Sequence, residues 1–297
     1  MTPPAIAAVI VTMNRPNDLD RLLGRLMAQT RALSAIVVVD NGMLEATAAV
    51  LARYPLVHHI PSRRNLGGAG GFVLGISQAL ALGAELVWIM DDDGYPESQA
   101  CLAALEQAID NEGYDMVSPL ILDIEDPERL AFYYYLGRRP VNRRDQLGAQ
   151  VVFNQFAHLF NGALLRSSTF ERYGLPRYEL FFRGDETDFM YRLNRDGARF
   201  ATLCSVAFLH PSGSRDTLPI MGGRYHAVIP ASPIARHYYY RNRGNLFREY
   251  RLVRAAAYDL IRYSWAFLVT RRGDWDGFRG WARAVLSGWN REFNKPS

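Results

Sequence analysis

The stretch LVWIMDDDG, residues 86–94, joins five apolar residues to three consecutive aspartates. A short, uninterrupted apolar run is typical of a strand buried on both faces, as in a parallel sheet. Because ligands of open parallel sheets bind beyond the carboxyl ends of the strands, Asp91–Asp93 are predicted to lie at a ligand site. Asp91 and Asp93 suit a hard divalent ion shared with the phosphates of a nucleotide. An acidic, solvated turn explains these residues equally well.

Strands of the same kind alternate with helical periodicity through the first 122 residues. The predicted strands are Ala5–Thr12, Ala35–Asp40, Val57–Ile60, Leu86–Met90 and Asp115–Leu122. Helices are predicted over residues 19–29, 72–82 and 96–112, so the fold class is α/β, Rossmann-like, with βαβ units and a parallel sheet. From about Ala131 turns and aromatics dominate, which predicts an α+β half, and after Pro233 the chain is predicted to be mostly helical.

The length and composition exclude several classes of protein. Hydrophobic residues make up 49% of the 297 residues and charged residues 22%, which excludes global disorder. Two cysteines, Cys101 and Cys204, are too few for a disulfide framework and fit a reducing cytosol. We expect no signal peptide, because no basic region precedes Ala5. We expect no transmembrane helix, because the apolar stretch Tyr263–Val269 is far shorter than the roughly 20 residues of a span.

The net charge of +4 conceals two parts of opposite sign. Residues 236–297 hold 13 Lys and Arg against 5 Asp and Glu, a net +8, and the remainder holds 21 against 25, a net −4. Arginines interleaved with tryptophan and other large apolar residues suit helices in the interface of an anionic membrane. The alternative is that these aromatics pack on the rest of the protein or on a second subunit. The acidic body argues against a nucleic-acid partner, because it would repel phosphate backbones.

A glycine-rich segment, RRNLGGAGG at residues 63–71, precedes a predicted helix. Glycines let backbone N–H groups approach phosphate oxygens, and a helix N-terminus adds partial positive charge. The segment matches neither the dinucleotide-binding fingerprint nor the P-loop. Because the aspartate triplet follows one helix and one strand later, the segment is interpreted as a phosphate site to which Arg63 and Arg64 add charge. A flexible loop is the alternative.

Further carboxylates and a histidine complete the candidate functional residues. Asp185 and Glu186 stand at the predicted start of a helix, where a carboxylate acts as a general base or merely stabilises the helix dipole. His210 is a candidate third metal ligand, whose imidazole suits Mn²⁺ better than Mg²⁺, or else a structural histidine. Asp40, followed by Asn41 at a strand end, is predicted to bind a uracil or ribose edge or to form an Asx-turn.

Taken together, these features resemble the inverting nucleotide-sugar glycosyltransferases of family two, which have the GT-A fold. That resemblance implies a divalent metal, Mn²⁺ or Mg²⁺, and a UDP-sugar donor. It implies that the nucleotide is bound by Thr12, Arg15, Asp40, Arg64, Asn65, Gly67, Gly68, Asp91 and Asp92. We expect a catalytic domain over residues 1–235, with a nucleotide-binding half of about 1–125 and an acceptor half of about 126–235, and a basic, aromatic helical tail over 236–297.

Other motifs resemble a narrower group, the actinobacterial galactofuranosyltransferases that start the cell-wall galactan. They cover nearly the whole chain and are SRRNLGGAGGF at 62–72, LFNGAL at 159–164, FRGDE at 182–186, HPSGS at 210–214, YRNRG at 240–244 and FLVTRR at 267–272. The resemblance implies UDP-galactofuranose as donor and a polyprenyl-diphosphate-linked GlcNAc–rhamnose as acceptor. It implies Asp91, Asp93 and His210 as metal ligands and Glu186 as the base. Because the acidic pair of the family is often Asp-Asp, Asp185 stays an alternative base.

A lipid-linked acceptor implies a peripheral enzyme on the cytoplasmic face of the plasma membrane, and an oligomer is left open. Tyr238–Asn242 is predicted to help hold the acceptor or its diphosphate. The nearest alternative is a rhamnosyltransferase that uses dTDP-rhamnose, because it shares the fold and the metal site. A nucleotidyltransferase is disfavoured, since only Arg15 follows the first strand where a Lys/Arg-rich signature would grip a triphosphate. A non-enzymatic binding module is disfavoured by the acidic body.

Overall fold

The computed structural model describes residues 3–212 and 216–293 of the chain. Its contacts divide the chain into two compact units, the first formed by Met1–Pro176 with Phe189–Gly213 and the second by Arg177–Asp188 with Ser214–Ser297. Gly213 and Ser214, the end of the predicted HPSGS motif, lie outside the described residues. The predicted boundary near residue 235 stays a prediction.

The first unit contains a mixed sheet with helices on both faces. Its strands are β1 (Ile6–Thr12), β2 (Ala35–Asp40), β3 (Val57–Pro61), β4 (Leu86–Asp91), β5 (Tyr95–Pro96), β6 (Met116–Asp123), β7 (Arg129–Leu136), β8 (Arg139–Arg143), β9 (Val152–Asn154), β10 (Asn161–Arg166) and β11 (Phe200–His210). Its helices are α1 (Pro16–Met27), α2 (Glu45–Leu51), α3 (Gly67–Ala81), α4 (Cys101–Glu112) and α5 (Ser167–Tyr173). A further helix, α6 (Asp185–Arg195), begins in the second unit and continues in the first from Phe189.

Strand order brings the ends of several strands to one edge. The order is β3-β2-β1-β4-β10-β6-β11-β5; the first four strands are parallel, β10 runs antiparallel to β4 and β6, and β11 is parallel to β6. Thr12 pairs with Asp40, and Val11 pairs with Asp91. The carboxyl ends of β1, β2, β4 and β11 therefore lie at the same edge. The predicted α/β fold is confirmed.

Two apolar cores cover this sheet because its central strands are apolar on both faces. Ile6, Ala8 and Ile10 of β1 pack in one core with the leucines of α1, and Ala7, Val9 and Val11 pack in the other with α3. Successive residues of a strand point to opposite faces, so an unbroken apolar run is what a two-sided core requires.

Helix α3 begins at Gly67, five residues before the predicted start at Phe72. A Cβ built on Gly71 would lie 2.7 Å from Val11 Cγ1, and one built on Gly75 would lie 2.5 Å from Val9 Cγ1. These glycines let the helix backbone approach β1. The glycine run is therefore mostly helix, and the expectation of a flexible loop over residues 67–71 is wrong.

The second unit is a hairpin with a helical bundle. Its elements are β12 (Thr217–Ile220), β13 (Tyr225–Val228), α7 (Pro233–Glu249), α8 (Val253–Ser264), which continues as a π-helical turn (Trp265–Thr270), and α9 (Trp275–Trp289). Tyr240, Tyr263, Phe267 and Trp281 form its core. Gly244 and Gly288 let the backbones of α7 and α9 touch, because a Cβ on either would meet backbone atoms of the other helix. Within the described residues, no helix is long and apolar enough to cross a bilayer.

Candidate functional site

Asp92 and Asp93, which follow β4, contact the side chains at the end of β1 and just after it. The Thr12 hydroxyl donates to Asp92 Oδ2 at 2.7 Å. The Arg15 guanidinium donates to Asp92 Oδ1 at 3.0 Å and to Asp93 Oδ2 at 2.7 Å. Four residues predicted for the nucleotide and metal site are therefore brought together. Two of the three aspartates form ion pairs with the same arginine of the chain, so one positive charge is shared between two carboxylates.

His210, at the end of β11, faces the same aspartate cluster. Its Nδ1 lies 2.7 Å from the carbonyl oxygen of Pro211, and its Nε2 lies 3.4 Å from Asp93 Oδ1. A carbonyl oxygen only accepts hydrogen bonds, so Nδ1 carries a proton, and Nε2 is the ring nitrogen that faces Asp93. Asp93 Oδ1 is itself buried and has no hydrogen-bond partner among the residues described. Two electron-rich atoms that face each other in this way fit a cation, or a second proton, between them.

The pKa values of the two aspartates differ in direction because their neighbours differ. Burial raises the pKa of Asp92, although the Thr12 hydroxyl and Arg15 oppose the rise. Burial also acts to raise the pKa of Asp93, but His210 and Arg15 outweigh it and hold the pKa below its ordinary value. Asp93 is therefore the carboxylate better suited to remain ionised and to bind a cation.

Asp91 is half-buried at the end of β4, and its backbone N–H donates to the Phe160 carbonyl at 2.8 Å. Across residues 3–212 and 216–293, no three His, Cys, Asp or Glu side chains are gathered closely enough to hold a metal ion. The structure therefore brings together Asp93 and His210 of the predicted metal ligands, and Asp91 as the third ligand stays a prediction.

Asp40, at the end of β2, is fully buried, and only one of its two carboxylate oxygens accepts hydrogen bonds from the described residues. Its Oδ1 accepts the N–H groups of Gly42 at 2.8 Å and Met43 at 3.0 Å, which is the Asx-turn weighed from the sequence. Its Oδ2 lies 3.6 Å from His59 Nε2, and neither atom has a hydrogen-bond partner in the described part of the chain. A buried acceptor without a partner is costly, and an N–H donor on a ligand would satisfy it.

The turn before α3 is tied to the end of β2. Asn41 accepts the N–H of Leu66 and donates to the carbonyl of Gly67, and Asn65 Oδ1 accepts the N–H of Gly67 at 2.8 Å. Arg64 and Asn65 are exposed. Gly68 is half-buried, and a Cβ built on it would meet nothing within 4 Å, so the space over this helix start is open. The first turn of α3 is thus open to an anion.

The acidic pair lies in the second unit, at the first turn of α6. Asp185 is 4% exposed, and burial raises its pKa to about 6 although the backbone N–H groups of Asp185 and Glu186 oppose the rise. Glu186 is half-buried. A carboxylate that accepts helix N–H groups stabilises the helix start, whereas a more accessible one can receive a proton from a substrate.

Sequence reasoning missed the half-buried His59 and the buried Asn161 at the sheet edge, and it misplaced two residues of α7. His59 faces Asp40, and Asn161, which pairs with Met90, has a buried Oδ1 without a hydrogen-bond partner in the described residues. The Asn-Gly step inside the LFNGAL motif was the available signal for Asn161. Arg241 and Asn242, expected to hold the acceptor, are 1% and 0% exposed, so they lie inside the second unit rather than at its surface.

Comparison with known proteins adds a family and a fold. The profile described as Glycosyl transferase family 2 matches residues 7–173. Galactofuranosyltransferase GlfT1 of Mycobacterium tuberculosis (strain ATCC 25618 / H37Rv) is 42% identical over 299 residues, which is 98% of each chain. Galactofuranosyltransferase GlfT1 of Mycolicibacterium smegmatis (strain ATCC 700084 / mc(2)155) is 37% identical over 297 residues, again 98% of each chain.

Solved structures with a similar fold are glycosyltransferases of the GT-A type. S. aureus TarS 1–349 in complex with UDP has a TM-score of 0.55 at 15% identity, over 81% of this chain and 64% of that one. GalNAc-T7 with UDP, GalNAc and Mn²⁺ has a TM-score of 0.57 at 16% identity, over 82% of this chain and 50% of that one. At such identities the likeness shows the fold alone, and that fold is the one expected from the sequence.

Proposed function

Because this chain belongs to glycosyl transferase family 2, we propose that it transfers galactofuranose from UDP-galactofuranose, with inversion, to a polyprenyl-diphosphate-linked GlcNAc–rhamnose in cell-wall galactan synthesis. The observation that carries the proposal is 42% identity over 98% of both chains to a protein named Galactofuranosyltransferase GlfT1. An alignment over 98% of the chain includes the acidic pair and nearly all of the helical tail as well as the nucleotide half. The donor, the acceptor and the linkage are parts of this proposal.

Donor binding is assigned to the sheet edge of the first unit. Asp40 Oδ2, which accepts no hydrogen bond from the residues described, supports a pyrimidine base there, because a uracil ring carries an N–H donor. A diphosphate is favoured by the guanidinium and N–H groups near the carboxyl end of β1 and the start of α3. The residues there are Thr12 and Arg15 at β1, and Asn65 and Gly68 at α3. Arg64 adds an exposed charge to the same turn. Asp92 holds Thr12 and Arg15 in place through hydrogen bonds.

A divalent ion fits the pair Asp93 and His210, with Asp91 as the proposed third ligand. The fit rests on Asp93 Oδ1, a buried oxygen without a hydrogen-bond partner in the described residues, which lies 3.4 Å from His210 Nε2. Mn²⁺ or Mg²⁺ bound there supplies positive charge to the diphosphate that leaves. The carbonyl of Pro211 accepts the Nδ1 proton of His210 and so directs Nε2 toward the ion.

The base in this proposal is Glu186. As galactofuranose departs from UDP, Glu186 takes the proton of the acceptor hydroxyl that attacks the opposite face of the anomeric carbon, and the configuration inverts. Glu186 is half-buried, whereas Asp185 is buried at the helix start. Accessibility to a hydroxyl therefore favours Glu186, and Asp185 stabilises the first turn of α6.

Peripheral binding to the cytoplasmic face of the plasma membrane is supported by one side of the second unit. Residues spaced four apart along α8 and its π-helical turn are exposed and apolar, and we call them the apolar stripe: Val253, Ala257, Ile261, Trp265 and Val269. Arg251, Arg254, Arg271 and Arg272 are exposed near its two ends. An apolar strip with cationic ends is the pattern of a helix that lies in an anionic membrane surface.

Mass spectrometry of the reaction product tests the proposed function. The protein is incubated with Mn²⁺, a synthetic polyprenyl-diphosphate-linked GlcNAc–rhamnose and either UDP-galactofuranose or dTDP-rhamnose. We expect an acceptor heavier by one or two hexoses with the first donor and unchanged acceptor with the second. Transfer of deoxyhexose from dTDP-rhamnose alone would replace the proposal with the rhamnosyltransferase alternative.

A further inference from the structure

The segment that leads into the acidic pair has an unusual backbone. Phe181 has φ +65°, Arg183 has φ +60°, and Gly184 has φ +106°, so three of four consecutive residues lie in the left-handed region. Only the last of them is a glycine. A non-glycine residue such as Phe181 or Arg183 is strained there, and it persists only where its surroundings fix the conformation. Something must therefore hold residues 181–184 in place.

Asn242 of α7 holds this segment with one amide group. Its Nδ2 donates to the carbonyl of Leu180 at 2.8 Å, to that of Phe182 at 3.0 Å and to that of Arg183. A Cβ built on Gly184 would lie 2.9 Å from Asn242 Cβ, so the backbone also packs directly on this side chain. One fully buried amide thus contacts the segment along its whole length.

Arg241 extends the same arrangement. One of its terminal nitrogens donates to the carbonyls of Glu179 at 3.0 Å and Leu180 at 2.9 Å. The same nitrogen also donates to Asn242 Oδ1 at 2.8 Å, and Nε of Arg241 donates to that oxygen at 3.0 Å. Because the amide oxygen of Asn242 faces Arg241, its amide nitrogen faces residues 181–184. Burial lowers the pKa of Arg241, so keeping this cation inside the unit has a cost.

The held segment determines where α6 begins. The carbonyl of Gly184 accepts the N–H of Asp188 at 2.8 Å, which is the first turn of the helix, and Asp185 and Glu186 follow directly. A change in the backbone at Arg183 or Gly184 therefore moves both carboxylates. In a site built for proton transfer, a displacement of about 1 Å can cost about 10²-fold in rate.

We propose that Arg241 and Asn242 are positioning residues, which fix the backbone of residues 179–184 and through it the carboxylate of Glu186. The inference rests on the proposed function, since it assumes that Glu186 is the base. In this proposal Arg241 and Asn242 position the base and do not bind the acceptor.

Asn242→Asp tests this with little change in shape, because it removes the three donations and keeps the oxygen that Arg241 contacts. The matched control is Asn245→Asp, also on α7 and 0% exposed, whose Nδ2 makes no hydrogen bond within the described residues and whose Oδ1 faces Arg177 at 3.2 Å. We expect N242D to lower kcat by roughly 10–100-fold while the KM for UDP-galactofuranose changes less than about twofold. N245D should keep kcat within about threefold of the wild type. Arg241→Lys keeps the positive charge but loses the planar set of guanidinium N–H donors, so it should lower kcat as N242D does. It replaces N242D as the test if N242D does not fold.

A double mutant separates positioning from general damage. In the Glu186→Gln background N242D should reduce kcat by less than about twofold further, since the group it positions is already lost. An equal loss of kcat in both backgrounds, a wild-type kcat in N242D, or a matching loss in N245D would overturn the inference. Amide hydrogen exchange of residues 179–188 provides a readout independent of turnover, and N242D must accelerate it. Unchanged exchange also overturns the inference, whereas absence of transfer by the wild-type protein would refute the proposed function instead.

Discussion

Asp185 and Glu186 are neighbours in the chain with different surroundings. Asp185 is 4% exposed, and its carboxylate interacts with the N–H groups at the start of α6, whereas Glu186 is half-buried. A base must meet the hydroxyl that it deprotonates, and a helix-capping carboxylate is already occupied. The two residues are therefore expected to respond differently to the same chemical change.

Replacing each carboxyl by its amide separates these roles. Glu186→Gln should lower kcat by roughly 10²–10⁴-fold, because a general base is lost, with little effect on the affinity for UDP. Asp185→Asn should lower kcat by less than about tenfold, because the amide oxygen still accepts helix N–H groups. Steady-state kinetics with UDP-galactofuranose and the lipid-linked acceptor measure both. Near-normal turnover in E186Q together with an inactive D185N would transfer the role of base to Asp185.

Asp185 also predicts how stability depends on pH. Its pKa is raised from 3.8 to about 6 by burial, so the folded state binds more protons than the unfolded chain between these values. Protonated Asp185 therefore adds to the free energy of unfolding, and this contribution is fully present below about pH 3.8 and is lost as the pH rises through about 6. At about 1.4 kcal/mol per pKa unit, the loss is at most about 3 kcal/mol. Asp185→Asn lacks this loss. Urea unfolding should therefore favour D185N relative to the wild type more at pH 7 than at pH 4, and a pH-independent difference would contradict the assignment.

At the scale of single residues, the sequence predicted that carboxylates lie at a strand end, but it did not predict which side chains contact them. The apolar run before Asp91–Asp93 already indicated a buried strand with carboxylates at its end. The pairing of Arg15 with both Asp92 and Asp93 depends on the geometry of the turn after β1, which no local pattern encodes. The contact of His210 with Asp93 joins residues far apart in the chain, so the residue type offered His210 only as a metal ligand or a structural histidine, and the family resemblance supplied the grouping with Asp93.

Helix α3 shows at the level of an element why a sequence pattern can mislead. Glycine has low helix propensity, so GGAGG predicts a loop, yet the segment is helical. The cause is packing: Gly71 and Gly75 lie against β1, where a side chain has no room. Propensity is a property of a residue and its neighbours in sequence, whereas this constraint comes from a strand some 60 residues earlier.

Two glycine-to-alanine changes in helices of the first unit should have opposite signs. A Cβ on Gly75 would lie 2.5 Å from Val9 Cγ1 and 3.3 Å from Val39 Cγ2, so Gly75→Ala should destabilise by about 1–3 kcal/mol through overpacking. Gly24 of α1 is exposed, with the nearest atom, the Tyr54 hydroxyl, at 4.0 Å, so Gly24→Ala should stabilise by about 0.5–1 kcal/mol. Urea unfolding measures both. A stabilised G75A would remove the packing explanation for this glycine run.

For the whole molecule, the sequence predicted an acidic catalytic body and a basic tail. The helices after Pro233 confirm the predicted character of the tail, and its aromatics serve two roles: Tyr263 and Trp281 are buried in the core of the second unit, whereas Trp265 and Trp275 are exposed. The second unit also includes residues 177–188. A composition shift detects contiguous segments, so it could not reveal that a short internal segment folds with the C-terminal helices.

Membrane association should depend on the apolar stripe. Ile261→Glu places a charge at a residue that is 59% exposed within the stripe, and we expect it to remove most binding to vesicles of phosphatidylglycerol and phosphatidylcholine at low salt, because burying a charge in the interface is unfavourable. Leu286→Glu, on α9 outside the stripe and also 59% exposed, is the matched control and should float with the vesicles like the wild type. Equal flotation of I261E and the wild type would show that another surface docks.

In the proposed donor site, carboxylates and a histidine at one sheet edge hold a cation that binds the diphosphate of a sugar nucleotide. Isothermal titration calorimetry of UDP binding tests it with the wild type in Mn²⁺, the wild type in EDTA, and Asp93→Asn in Mn²⁺. We predict UDP binding in the first case and a loss of at least about tenfold in affinity in the other two. Equal affinity under all three conditions would contradict the account.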